Sequence, residues 1–210
     1  MRAAGFPMLH DRMSPLDSLR DAVARTAALT TDRPLSGLSH DDADDHTGTI
    51  DTDSARDFDP FPLLRALDEA GARAVVIGQV AGILHGSREL TGDLDLLWDG
   101  DPAHSEAMAH AFASVGSHLL DDDRHPLALA PQSFLLPKVQ FESPHASGDC
   151  CTPALPWGTL PVRAFLDRAL TVSDADGAAV HYLRREDLIL MRRAVGRPKD
   201  LRRAEELERL

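Results

Sequence analysis

The clearest hydrophobic periodicity starts at Phe61, where Leu63, Leu64 and Leu67 fall at helical spacing and Gly71 marks a stop. Ala74-Val-Val-Ile then reads as a short buried strand ended by Gly78, and Val80 to His85 as a helix that runs to the break at Gly86-Ser87. Beyond it Leu94, Leu96 and Trp98 alternate with Asp93, Asp95 and Asp99, the period of two of a strand with one apolar and one acidic face. The acids share a side.

Downstream, the pattern predicts a helix over about 102–115 and two apolar runs, Phe134-Leu-Leu and Val139-Gln-Phe, as edge or irregular strands around Pro137. Asp149-Cys-Cys-Thr fits one more short strand, Val162 to Leu170 a helix, and Ala179 to Leu183 an extended segment. Helices Arg185 to Val195 and Leu201 to Leu210 close the chain, divided by Gly196-Arg-Pro-Lys-Asp. The expected fold class is α/β (α+β), with a mixed, partly antiparallel sheet flanked by helices and a helical carboxyl terminus.

The amino-terminal part reads differently. Between Asp41 and Asp59 stand eight aspartates against the single Arg56, a composition too polar to order itself. Residues 1–58 are therefore expected to form an acidic, mostly disordered appendage with at most an isolated helix near 15–28, and residues 59–210 the folded domain. The acidic stretch could also cover a basic carboxyl-terminal face in cis, in which case deleting residues 1–58 should raise affinity for nucleotide or RNA.

Hydrophobic residues make up 43% of the chain, enough for a core, yet no apolar run approaches the roughly 20 residues of a membrane span. With no secretory pattern at the amino terminus, the expectation is a cytoplasmic protein without a membrane partner. Cys150 and Cys151 are adjacent, which suits packing rather than a disulfide. The net charge of -12 argues against indiscriminate binding to nucleic-acid phosphate. One local exception is the run holding Arg192, Arg193, Arg197, Lys199, Arg202 and Arg203, which is either a polyanion-facing surface or a solvated helix face paired with Glu205, Glu206 and Glu208.

The segment Gly78-Gln-Val-Ala-Gly-Ile-Leu-His-Gly-Ser-Arg-Glu-Leu-Thr-Gly-Asp-Leu-Asp, followed near the other end by Glu186-Asp-Leu-Ile-Leu-Met-Arg-Arg-Ala-Val-Gly-Arg-Pro-Lys-Asp, resembles the polymerase-beta-like nucleotidyltransferase superfamily. It is closest in character to the family's small toxin-like bacterial members. The two motifs bracket about residues 61–205. The resemblance implies the nucleotidyltransferase fold and transfer of NMP from an NTP, such as ATP, to an acceptor hydroxyl. It implies Mg²⁺, or Mn²⁺ in its place, on Asp93, Asp95 and a third carboxylate, Asp149 by the order of elements, with Glu142 as the competitor. Nucleotide contacts are expected from Gly78, Gln79, Arg88, Thr91, Arg192 and Lys199.

The acceptor implied is a tRNA or other RNA end or a protein side chain in a toxin-antitoxin setting, with a cognate antitoxin as a further partner. Small antibiotics serve other superfamily members. Gln79, Glu89 and Arg192 depart from the family's usual small residue, Arg and Lys, and leave open a binding or sensing module that has lost its chemistry. Asp-x-Asp on one strand face suits a hard cation held against phosphate oxygens. The plainer readings are edge-strand charges for Asp93 and Asp95, a turn residue for Asp149, a packing role for His85, and helix-dipole complements for Glu186 and Asp187.

Overall fold

The computed structural model describes residues 13–39, 42, 49–173, 175 and 177–210. Among them are seven helices and an eight-stranded mixed sheet. The helices are α1 (Pro15–Thr30), α2 (Phe61–Glu69), α3 (Gly78–Leu84), α4 (Ser105–Ser114), α5 (Val162–Asp167), α6 (Arg185–Val195) and α7 (Pro198–Arg209). The strands are β1 (Ala74–Val76), β2 (Leu96–Trp98), β3 (His118–Leu120), β4 (Pro126–Leu127), β5 (Lys138–Glu142), β6 (Ser147–Cys151), β7 (Leu170–Ser173) and β8 (Ala179–Tyr182). The sheet order is β4-β3-β5-β6-β2-β1-β8-β7. Only the β1–β8 and β2–β6 pairs are parallel.

Strands β1 and β2 are buried on both faces, which is why they read as apolar runs. Trp98, Phe112, Phe134, Phe141 and Phe165 are fully enclosed. Phe112 packs on Phe134 and Phe141 with ring centroids 4.9 and 5.1 Å apart, tying α4 to β5 and the 3-10 turn Pro131–Leu135. Phe134-Leu-Leu is thus a helical turn and not a strand. Its apolar run was too short to carry a period.

The structure also corrects the expected boundary before residue 59. Helix α1 is capped by the Ser14 hydroxyl and buries Leu16 and Leu19 in the core, packed against α3. Ala55 is fully buried and Phe58 nearly so. The Arg33 guanidinium donates to the carbonyls of Ile50 and Thr52, and Asp53 accepts the Ser36 and Gly37 N–H groups at 2.7 and 2.8 Å. The helix expected to stand alone, and the strap over residues 49–58, therefore belong to the domain. Asp41, Asp44 and Asp45, in the densest part of the acidic stretch, lie outside the described residues. No helix among the described residues is long and apolar enough to cross a membrane.

Candidate active site

Strand β1 delivers the chain to Gly78 at a φ of 61°, the left-handed turn that opens α3. A Cβ on Gly78 would overlap the Asp95 carboxylate, so the missing side chain is what allows that carboxylate to lie on the turn. Asp93 and Asp95, expected on the strand, occupy the segment that leads into β2, which starts only at Leu96. Their backbone is pinned from two sides. The Ile77 N–H donates to the Asp95 carbonyl at 2.9 Å, and the Leu94 N–H to the Ser147 carbonyl at 2.8 Å.

Asp149 joins Asp95 through register. The parallel β2–β6 pair sets Leu96 against Cys150, so one residue earlier Asp95 stands beside Asp149, and neighbours in a ladder point to the same face. The Asp149 N–H donates to Asp95 Oδ1 at 3.4 Å. Glu142 sits at the far end of β5, opposite Ser147, bonded to Arg124 at 2.6 Å. Of the two candidates for a third carboxylate, Asp149 is the one placed beside Asp95. Thr91 is buried and its hydroxyl donates to the Asp93 carboxylate.

The expected nucleotide-contacting residues divide into two groups. Gln79 and Arg192 lie behind the turn, buried, with their polar atoms spent on protein. The Arg192 guanidinium donates to the Gly78 carbonyl at 3.1 Å, to Gln79 Oε1 at 2.8 Å and to the Arg203 carbonyl at 3.0 Å. Gln79 Nε2 donates in turn to the Ser87 hydroxyl and the Glu89 carbonyl. Burial, and then the nearby Arg203 charge, push the Arg192 guanidinium down to about 10, so it still carries its charge at neutral pH.

Glu89, where an arginine was the family expectation, accepts from Nε and Nη2 of Arg203 at 2.9 and 2.7 Å. That departure is matched inside the fold by an ion pair linking the loop before Thr91 to α7. Gly78 and Lys199 fall in the second group, on the carboxylate side, and Arg88 is exposed. Burial pushes the Lys199 ammonium below its usual range, with Arg197 and Arg203 acting the same way and Asp93 and Asp200 opposing. Arg197 is raised, first by its hydrogen bond to Asp200 at 2.6 Å and then by the charges of Asp200, Asp95 and Asp93. Both cations of the Gly196-Arg-Pro-Lys-Asp turn thus feel the Asp-x-Asp pair.

Sequence reasoning overlooked Lys138. From the start of β5 its ammonium reaches Asp122 at 2.8 Å and Asp149 at 3.5 Å. The available signal was a lone lysine inside an apolar strand pattern. His85 has the packing role expected, with Nε2 bonded to the Leu183 carbonyl at 2.8 Å and its ring 5.1 Å from Tyr182. Cys150 and Cys151 are buried, and burial drives both thiols far above their ordinary range.

Two other features lie off this site. Asp121, Asp123 and His125, in the β3–β4 turn, bring ligand atoms within 4.8 Å of one another. The Asp121 carboxylate there already accepts the Asp123 and His125 N–H groups. A cavity of about 460 Å³ near the start of β1, lined by residues including Asp68, Arg73, Asp99 and His181, contains none of the trio. The chain matches no family model and no curated protein.

Proposed function

We propose that this chain is a Mg²⁺-dependent nucleotidyltransferase that moves NMP from an NTP to an acceptor hydroxyl, with pyrophosphate as the leaving group. The observation that carries the reading is the placement of Asp95 beside Asp149 by the β2–β6 register, directly over the Gly78 turn, with Asp93 two residues ahead of Asp95. The donors fit the ion, because the Asp93 and Asp95 carboxylates offer hard oxygens and Mg²⁺ is commonly held by one or two protein carboxylates beside water and phosphate. Asp93 and Asp95 would hold it, with Asp149 completing the acidic face. When bound, the ion neutralises charge on the phosphate oxygens as the nucleotidyl group moves.

The chain's own residues do the remaining work. Asp149 accepts the proton of the acceptor hydroxyl, Thr91 fixes the Asp93 carboxylate, and Lys199 and Arg197 add positive charge beside the acids. Gln79 and Arg192 act by holding the turn and not by touching substrate. The acceptor we favour is an RNA end, tRNA included, or a protein side chain, because the basic turn at 197–203 adjoins the acids. That acceptor range is the one of a toxin held by a cognate antitoxin.

A second reading draws on the burial of Gln79 and Arg192, which leaves fewer free groups for phosphate than the motif promised. It makes the chain a nucleotide-sensing or docking module. Incubation with each α-labelled NTP and Mg²⁺ or Mn²⁺, offering total RNA, the protein itself and a panel of small hydroxyl compounds, separates the cases. Label on RNA or protein that vanishes with Asp93→Asn supports the proposal, and label on a small molecule moves the acceptor to the antibiotic type. Nucleotide binding with no label anywhere favours the sensing module.

A further inference from the structure

The chain carries twenty-two Lys and Arg residues, and only two of them, Lys138 and Lys199, are lysines. Both stand at the carboxylate face. Lys199 feels the Asp93 charge from the start of α7, and Lys138 lies against Asp149 from the neighbouring strand β5. Elsewhere the chain uses the planar arginine fork, for example at Arg192, Arg168 and Arg203. A lysine ammonium differs in being a compact point charge, closer in size to a metal ion.

The Lys138 ammonium is also held in place. Asp122, in the turn between β3 and β4, binds it at 2.8 Å while Asp149 lies at 3.5 Å, and the side chain is only 21% exposed. Register explains the reach. Lys138 pairs with Cys151 across the β5–β6 ladder, two positions from Asp149 and on the same face. The cation therefore sits between the acidic trio and the β3–β4 turn.

We propose that Lys138 is the resident cation at Asp149, so that the trio takes a single divalent ion, at Asp93 and Asp95, and the ammonium supplies the second positive charge. The inference rests on the nucleotidyltransferase reading above. Mg²⁺ requires a near-octahedral oxygen shell at about 2.1 Å. A second ion on Asp149 would have to expel an ammonium that two carboxylates retain. Lys138 is a positioning residue in this scheme: it fixes and neutralises Asp149 while leaving its other oxygen directed toward the acceptor side.

The test is a count of Mn²⁺ bound to the full chain without nucleotide, by electron paramagnetic resonance of the free ion. All arms carry His125→Gln, to silence the β3–β4 turn trio. The parent should bind one ion, lost in Asp93→Asn. Lys138→Met and Lys138→Gln should each bind two, the second lost when Asp149→Asn is added, whereas Lys138→Arg should stay at one. A merely structural Lys138 would change the melting temperature and leave the count alone.

Two ions on the parent, or one on both uncharged variants with unchanged melting, would overturn the proposal. No ion on the parent, or binding indifferent to Asp93→Asn, would instead remove the metal-dependent reading beneath it.

Discussion

The Asp93–Asp95 segment is supported from two sides, and the two supports are built from opposite kinds of residue. On one side the Gly78 turn is clamped by Arg192, Gln79, Ser87 and the Glu89–Arg203 pair, a polar network joining α3, α6 and α7. On the other, the strap over residues 49–58 lays Ala55 on Gly92, between Thr91 and Asp93, where a Cβ on Gly92 would lie 2.5 and 2.7 Å from the Ala55 Cα and N. The Ala55 carbonyl accepts the Thr30 hydroxyl at 3.1 Å, which ties the strap to α1. One support works by directed hydrogen bonds from large side chains and the other by the absence of side chain. Both leave the carboxylates little freedom, which is what a metal-holding pair needs.

Removal of the whole strap side is the largest perturbation. Deleting residues 1–58 takes Leu16, Leu19 and Phe58 out of the core, at about 1.5–3 kcal/mol each. The sum rivals the whole stability of a typical domain. Loss of the cooperative melting transition is expected, the opposite of the gain in nucleotide affinity that an autoinhibitory appendage would give. Retained folding with tighter binding would restore the appendage view.

Next in size is Arg192→Met, which leaves the Gly78 and Arg203 carbonyls and Gln79 Oε1 without their donor. A loss of about 3 kcal/mol in denaturant unfolding is expected. Arg192→Lys should recover only part of it, because an ammonium cannot span that fork. An unchanged midpoint for Arg192→Met would show that the clamp bears no weight.

Gly92→Ala should cost about 1–3 kcal/mol through overpacking on the strap backbone and should lower turnover. The Glu89–Arg203 pair gives a gentler perturbation. Glu89→Arg alone should destabilise, and Glu89→Arg with Arg203→Glu should recover much of the loss, because the partly buried pair is then restored in reverse. Additive losses in the double variant would deny the pairing.

The smallest effect is at His85. Burial lowers its pKa below 6.5 in the folded chain, so below pH 6.5 the unfolded state binds the proton first. Its contribution to stability is full above pH 6.5 and declines as pH falls through the lowered value. His85→Gln should flatten that part of the pH–stability curve.

The same contrast explains what could be read in advance. The place of the polar support was legible, because Gly78, Thr91, Asp93, Asp95 and the Gly196-Arg-Pro-Lys-Asp turn are special residue types at fixed spacing, but its clamp was not: Gln79 and Arg192 were expected to touch nucleotide, and they bond to each other and to the turn. The strap was not legible, since Ala55 acts by being small and stands among aspartates that resemble a solvated linker. Asp53 is one of these, yet it caps the backbone at Ser36 and Gly37. Strands β3, β4 and β7 were missed because two to four residues are too few to display a period, and the helical reading of 162–170 ran into the first residue of β7. Lys138 escaped because its partners Asp122 and Asp149 are distant in sequence, and only the β5–β6 register brings them together.

The most direct test of the central claim is label transfer from α-labelled NTP by the parent chain beside Asp93→Asn, Asp149→Asn and Glu142→Gln, each with its melting curve. The first two are expected to lose turnover by about a thousandfold or more while melting like the parent, and Glu142→Gln to keep its rate. Full activity in Asp149→Asn, loss in Glu142→Gln, or no transfer by the parent with any nucleotide would contradict it.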